Sequence, residues 1–135
     1  MKWEIKHINQ KCGKSCVAAC LEMITGKPQE TFISKWGRKD KTIGDEEVKA
    51  ALRQHGFYYI PYGLNTLVSG RVYIITVPSL NLPRENHAIV IDFRGKICRA
   101  YDPQAGISGK LYYKGFEDIS GFGNVLEILK GDYDG

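Results

Sequence analysis

A chain of 135 residues, 43% hydrophobic and 25% charged, has the size and balance of one globular domain, expected to span residues 1–135. That balance excludes a disordered tail, a fibre and a disulfide-dense miniprotein, and no apolar run reaches the ~18 residues that cross a bilayer. The net charge of +4 is modest, and its one local basic cluster, Lys35 to Lys41, is interrupted by Gly37 and Asp40, so it reads as a solvated loop and not as a nucleic-acid stripe.

The N-terminal stretch MKWEIKHINQ alternates charge and apolarity and lacks the apolar centre of a signal peptide. A cytoplasmic location follows as an expectation, and with it four reduced cysteines, Cys12, Cys16, Cys20 and Cys98.

The first helix is expected from Ser15 or Cys16 through Thr25. Val17, Cys20, Leu21 and Ile24 recur at i, i+3, i+4 and i+7, which makes one face apolar. Gly26 stops it, with Pro28 two residues on. A short helix is expected over Thr31 to Trp36. The next should run from a cap at Asp45, with Glu46 and Glu47 at the positive end of its dipole, to His55 and Gly56.

From there the period becomes two. The expected strands are 57–62, 71–77, 87–93, 97–101, 110–113 and 125–129, with a hairpin turn at Phe93-Arg94-Gly95-Lys96. Helices first and an antiparallel meander afterwards make an α+β domain with N-terminal helices packed on the sheet.

Cys16 stands out chemically. A cysteine in the first turn of a helix lies at the positive end of the macrodipole, which favours the thiolate. Gly13, Ser15, Ala18 and Ala19 leave room around its sulfur. Cys20, in mid-helix, reads as core. Three cysteines on successive turns make poor tetrahedral ligands, so no metal or other cofactor is expected.

A thiolate nucleophile needs a base, and the base needs an orienting group. Of three histidines, His7 lies in a polar segment and His55 at a helix end, whereas His87 opens the strand HAIVID directly after the polar loop NLPREN. Asp102 lies fifteen residues on, at the end of the paired strand. Folding back about Gly95 makes His87 and Asp102 near cross-strand partners, and Pro103 ends the strand. The Cys16 amide and the Gln10 side chain, six residues before Cys16, are the candidate oxyanion donors. The segments 61–70 and 79–86 could line a cleft beside His87.

The stretch QKCGKSCVAACLEMITG resembles the nucleophile segment of papain-like cysteine peptidases, in which a glutamine lies six residues before the cysteine that opens the central helix. Gln10, Cys16, Ala19, Cys20, Met23-Ile24, Gly44, HAIVIDFRGKICRAYDPQAG and the tail LYYKGFEDISGFGNVLEIL resemble the bacteriocin-processing (double-glycine) branch, over roughly Ile8 to Leu129. That branch has Gly after the nucleophile, where this chain has Val17, and Asp before it, where this chain has Ser15. Val17 is similar instead to the version in some bacterial effector and stress-related papain-like proteins. Setting Cys12-Gly13 on the family's Cys-Gly leaves Gln10 only two residues upstream, too close to form the oxyanion loop.

The resemblance implies a papain-like fold and a bacterial thiol peptidase. In it Cys16, His87, Asp102 and Gln10 do the chemistry, and a peptide or protein substrate is cut after small residues. Glutamine deamidation, transglutamination and acyl transfer run on the same residues, and a non-enzymatic binding module is the bland alternative. Cys12 reads as a structural thiol, or as a redox lock that pairs with Cys16.

Overall fold

The computed structural model describes residues 3–11, 15–36, 45–62, 67–121 and 123–131. Cys12, Gly13, Gly44, most of the basic segment and the middle of the 61–70 segment lie outside them. Three helices come first, α1 (Cys16–Thr25), α2 (Gln29–Trp36) and α3 (Asp45–Gln54), followed by five strands. The strands are β1 (Phe57–Tyr62), β2 (Val72–Pro78), β3 (Asn86–Asp92), β4 (Arg99–Tyr101) and β5 (Val125–Lys130).

Helix α1 has the expected bounds. Gly26 closes it at φ 77°, a left-handed conformation that costs glycine no Cβ clash, and its N–H donates to the Glu22 carbonyl. Ala18, Ala19, Cys20, Leu21, Met23 and Ile24 are buried, and the helix packs on β3. Helix α2 begins two residues before the expected start. The N–H of Gln29 donates to the Glu22 carboxylate at 2.9 Å, so the end of α1 organises the start of α2.

All five strands are antiparallel, in the order β1-β5-β2-β3-β4. The expected meander is therefore corrected. The last strand inserts between β1 and β2, pairing Tyr59 with Ile128 on one side and Val72 with the same Ile128 on the other. Local pattern does not encode such a non-local insertion. The expected strand at 110–113 is absent too. Its residues form no ladder, and the Tyr113 N–H is used by Asp102 instead.

Both faces of the sheet are covered, and that is why β2 and β3 read as nearly continuous apolar runs. Val72, Ile74, Ala88, Val90 and Ile128 pack with the helices and with Trp3 and Ile5. Tyr73, Ile75, Val77, Ile89, Ile91 and Val125 pack under Tyr113 and the segment around Phe116 and Ile119. The N-terminal stretch is more than a polar lead-in. Trp3 and Ile5 are buried, the Trp3 indole donates to the Ile24 carbonyl, and Arg94 covers its ring at 4.6 Å.

Candidate functional site

The β3–β4 hairpin positions the site, with a register other than expected. Val90 pairs with Tyr101 and Asp92 with Arg99, so the connection runs from Phe93 to Cys98 and is wider than the tight turn read from the sequence. Continuing that ladder would set Asp102 opposite Ile89, two positions from His87. A slip of two keeps the side of the sheet, because side chains alternate with period two. The expected contact therefore survives the altered register, as a diagonal one.

His87 is the second residue of β3, opposite Val77. Its Nε2 lies 2.6 Å from Asp102 Oδ1, and the two side chains are only 5% and 1% exposed. The same Asp102 oxygen accepts the Gln104 N–H at 2.9 Å, and Oδ2 accepts the Tyr113 N–H at 2.8 Å. A carboxylate meeting only donors acts as an acceptor throughout, so Nε2 of His87 carries the shared proton. Nδ1 is then the ring nitrogen left for Cys16, whose half-buried side chain hydrogen-bonds the ring.

Burial pulls the His87 imidazole down. The hydrogen bonds to Asp102 and then to Cys16, with the charges of both, outweigh it and push the ring up to about 9 from 6.5. The histidine is thereby held as imidazolium at neutral pH. Cys20, one turn further along α1, is fully buried, and burial, with Cys16 and Asp102 near, pushes its thiol well above the usual range. It is the core thiol its position suggested.

Gln10 approaches from the N-terminal segment. Its backbone N–H donates to the Pro103 carbonyl at 2.9 Å, and the residue is 8% exposed. This ties the Gln10 loop to the residue after Asp102. Ser15 does not cap α1 with its side chain. It accepts the Lys11 N–H at 3.1 Å instead, which closes the loop between Gln10 and Cys16.

Several residues escaped the sequence reading. Nε2 of His7 lies 2.8 Å from the Asp102 carbonyl oxygen, a second tie between the N-terminal segment and the Asp102 turn. Gln29, 0% exposed, brackets Gln10. Its Oε1 accepts the Lys11 N–H at 3.1 Å, and its Nε2 donates to the Asn9 carbonyl at 2.8 Å. Asn81, in the loop before His87, donates to the Gln104 side chain and to the Leu111 carbonyl. None carries a periodic signal, because each is a polar side chain serving main-chain groups of a distant loop. His55 is set against the edge of Phe32, apart from this cluster.

Among the described residues no group of histidine, cysteine and acidic side chains is arranged to hold a metal ion. No helix among them is long and apolar enough to cross a membrane.

No family model and no curated protein matches the sequence. A crystal structure of a double glycine motif protease from an AMS/PCAT transporter, in complex with the leader peptide, matches with a TM-score of 0.63 and 21% identity. The match covers 96% of this chain and 93% of that one. At that identity the likeness is one of fold, and it spans nearly the whole α+β chain.

Proposed function

We propose that the chain is a papain-like cysteine peptidase that cleaves a peptide bond through Cys16, His87 and Asp102. The observation that carries this reading is the buried 2.6 Å contact between His87 Nε2 and Asp102 Oδ1, with Cys16 facing the same ring. The fold match to a double glycine motif protease crystallised with a leader peptide supports a peptide as substrate.

The chemistry follows from the proton positions. His87 Nδ1 holds the proton taken from Cys16, which leaves a thiolate. That thiolate attacks the scissile carbonyl carbon and forms the C–S bond while the carbonyl π pair moves to oxygen. The Cys16 N–H, at the start of α1, and the Gln10 amide donate to the resulting oxyanion. Collapse breaks the C–N bond, and the amine leaves with the proton from His87. The neutral imidazole then draws a proton from water, whose oxygen displaces the thioester sulfur and frees the acid. Asp102 keeps the ring in the required tautomer throughout and stays a carboxylate.

An electrophilic thiol probe tests the reading. At pH 6 the protein should be labelled at Cys16, and Cys16→Ala should lose that labelling. Unchanged labelling in the variant would sink the assignment of Cys16. Mass spectrometry of peptides bearing small residues before the cut then separates cleavage into two fragments from the roughly one-dalton gain of a deamidation. A chain that labels at Cys16 yet alters no peptide or protein would favour a binding module.

A further inference from the structure

The β3–β4 ladder ends at Val90 and Tyr101, three residues short of His87, and Asp102 lies beyond the end of β4. Main-chain pairing therefore sets the histidine and its carboxylate on one side of the sheet but does not by itself hold one against the other. Side chains that join the loop before β3 to the segment after β4 perform the alignment.

We propose that Asn81 is a positioning residue of the active site, locking the segment that holds the Asp102 carboxylate onto the loop that leads into His87. This rests on the peptidase reading above. Asn81 Nδ2 donates to Gln104 Oε1 at 2.9 Å and to the Leu111 carbonyl at 2.8 Å, while Oδ1 accepts the Leu111 N–H at 2.9 Å. The side chain thus imitates one strand residue paired with Leu111 and spends its remaining hydrogen on Gln104. A planar group with two donors and an acceptor is needed, and among side chains of this length only asparagine supplies it.

Both residues it grips lead to Asp102. The Gln104 N–H donates to Oδ1, the oxygen that faces His87, and Tyr113, two residues after Leu111, donates its N–H to Oδ2. Tyr113 adds a second link by donating its hydroxyl proton to the Pro78 carbonyl at 2.5 Å. On the other side, the main chain around Asn81 is fixed by Ser79. Its Oγ accepts the Asn81 and Leu82 N–H groups, and its N–H donates to the Glu85 carbonyl at 2.9 Å. A displacement of Asn81 is thus transmitted to the carboxylate through these hydrogen bonds and the short pieces of chain that join them.

The test follows the His87 ring by NMR pH titration in the full chain, alongside the rate of Cys16 alkylation by iodoacetamide at pH 7. The groups acting on the ring are Asp102 and Cys16, so its midpoint reports their placement directly. In Asn81→Ala the midpoint should fall from about 9 toward the ~6.5 of a free imidazole, and alkylation should slow about tenfold. Gln104→Ala removes the amide that receives the Asn81 bond and leaves the Asn81–Leu111 pair in place. It should move both readouts in the same direction, even if Asn81→Ala melts. In the double variant the loss should not exceed that of Asn81→Ala, since the bond that Gln104→Ala breaks is one of those that Asn81→Ala already removes.

A midpoint near 9 in these variants overturns the role of Asn81 and leaves the peptidase reading standing. A wild-type ring that titrates as a free imidazole, unmoved by Cys16→Ala, overturns the peptidase reading itself.

Discussion

His87 Nε2 and Asp102 Oδ1 stand 2.6 Å apart in a setting where neither side chain is more than 5% exposed. Asp102 receives two backbone N–H groups besides the histidine. Asp102→Asn would keep the shape, but it turns one acceptor oxygen into an NH2 that must confront a donor. The expected cost is about 1–3 kcal/mol of stability, read by urea denaturation near pH 7, with peptide turnover falling roughly 10²- to 10⁴-fold. A variant as stable and active as the parent would show that the pair is incidental.

The same pair sets a pH dependence. The His87 ring is raised from 6.5 to about 9 on folding, so the folded state binds its proton more tightly than the unfolded chain. The resulting stability is fully present below pH 6.5 and is lost as pH rises through about 9. Urea midpoints compared at pH 6.5 and 9.5 should show the parent losing stability over that window more than His87→Gln does. Parallel losses in the two proteins would contradict the shift.

Gln29 makes a separate prediction. It is fully buried and holds Asn9 and Lys11 on either side of Gln10. Gln29→Leu retains the volume and strands the Asn9 carbonyl, while the Lys11 N–H keeps the Ser15 hydroxyl, so the cost is about 1–3 kcal/mol for the one group left unpaired. If Gln10 serves the oxyanion, turnover should drop while KM changes little, because the loss falls on the transition state. A rise in KM alone would place Gln10 in ground-state binding.

The thiols should differ sharply in reactivity. Cys20 is fully buried with its thiol pushed up, so it should resist alkylation until the chain unfolds. Cys98 is half-buried, and burial, together with Asp92 and Glu117, pushes its thiol up as well, so it should react slowly. Peptide mapping after a short iodoacetamide exposure measures this. Early modification of Cys20 in native protein would contradict its place in the core.

The helical half was legible because its signals are local. Gly26 marked the end of α1, and the apolar period of Val17, Cys20, Leu21 and Ile24 marked its inner face. The pairing of His87 with Asp102 was legible because period two tolerates a register error of two. The insertion of β5 between β1 and β2 was not, since pairing between distant strands leaves no trace in either strand alone. Residues 110–113 misled for a related reason. Leu111-Tyr112-Tyr113 has strand composition, but its polar main chain serves Asn81 and Asp102 in place of a neighbouring strand. The buried Trp3 and Ile5 were hidden by the charged residues that alternate with them.

The most direct measurement is the rate of Cys16 alkylation by iodoacetamide at pH 6 in the parent and in His87→Ala. If the His87 imidazolium holds the Cys16 sulfur as the attacking thiolate, Cys16 should be alkylated at pH 6, and His87→Ala should lose about tenfold or more of that rate. Equal rates in the two proteins would contradict the central claim that His87, held by Asp102, activates Cys16.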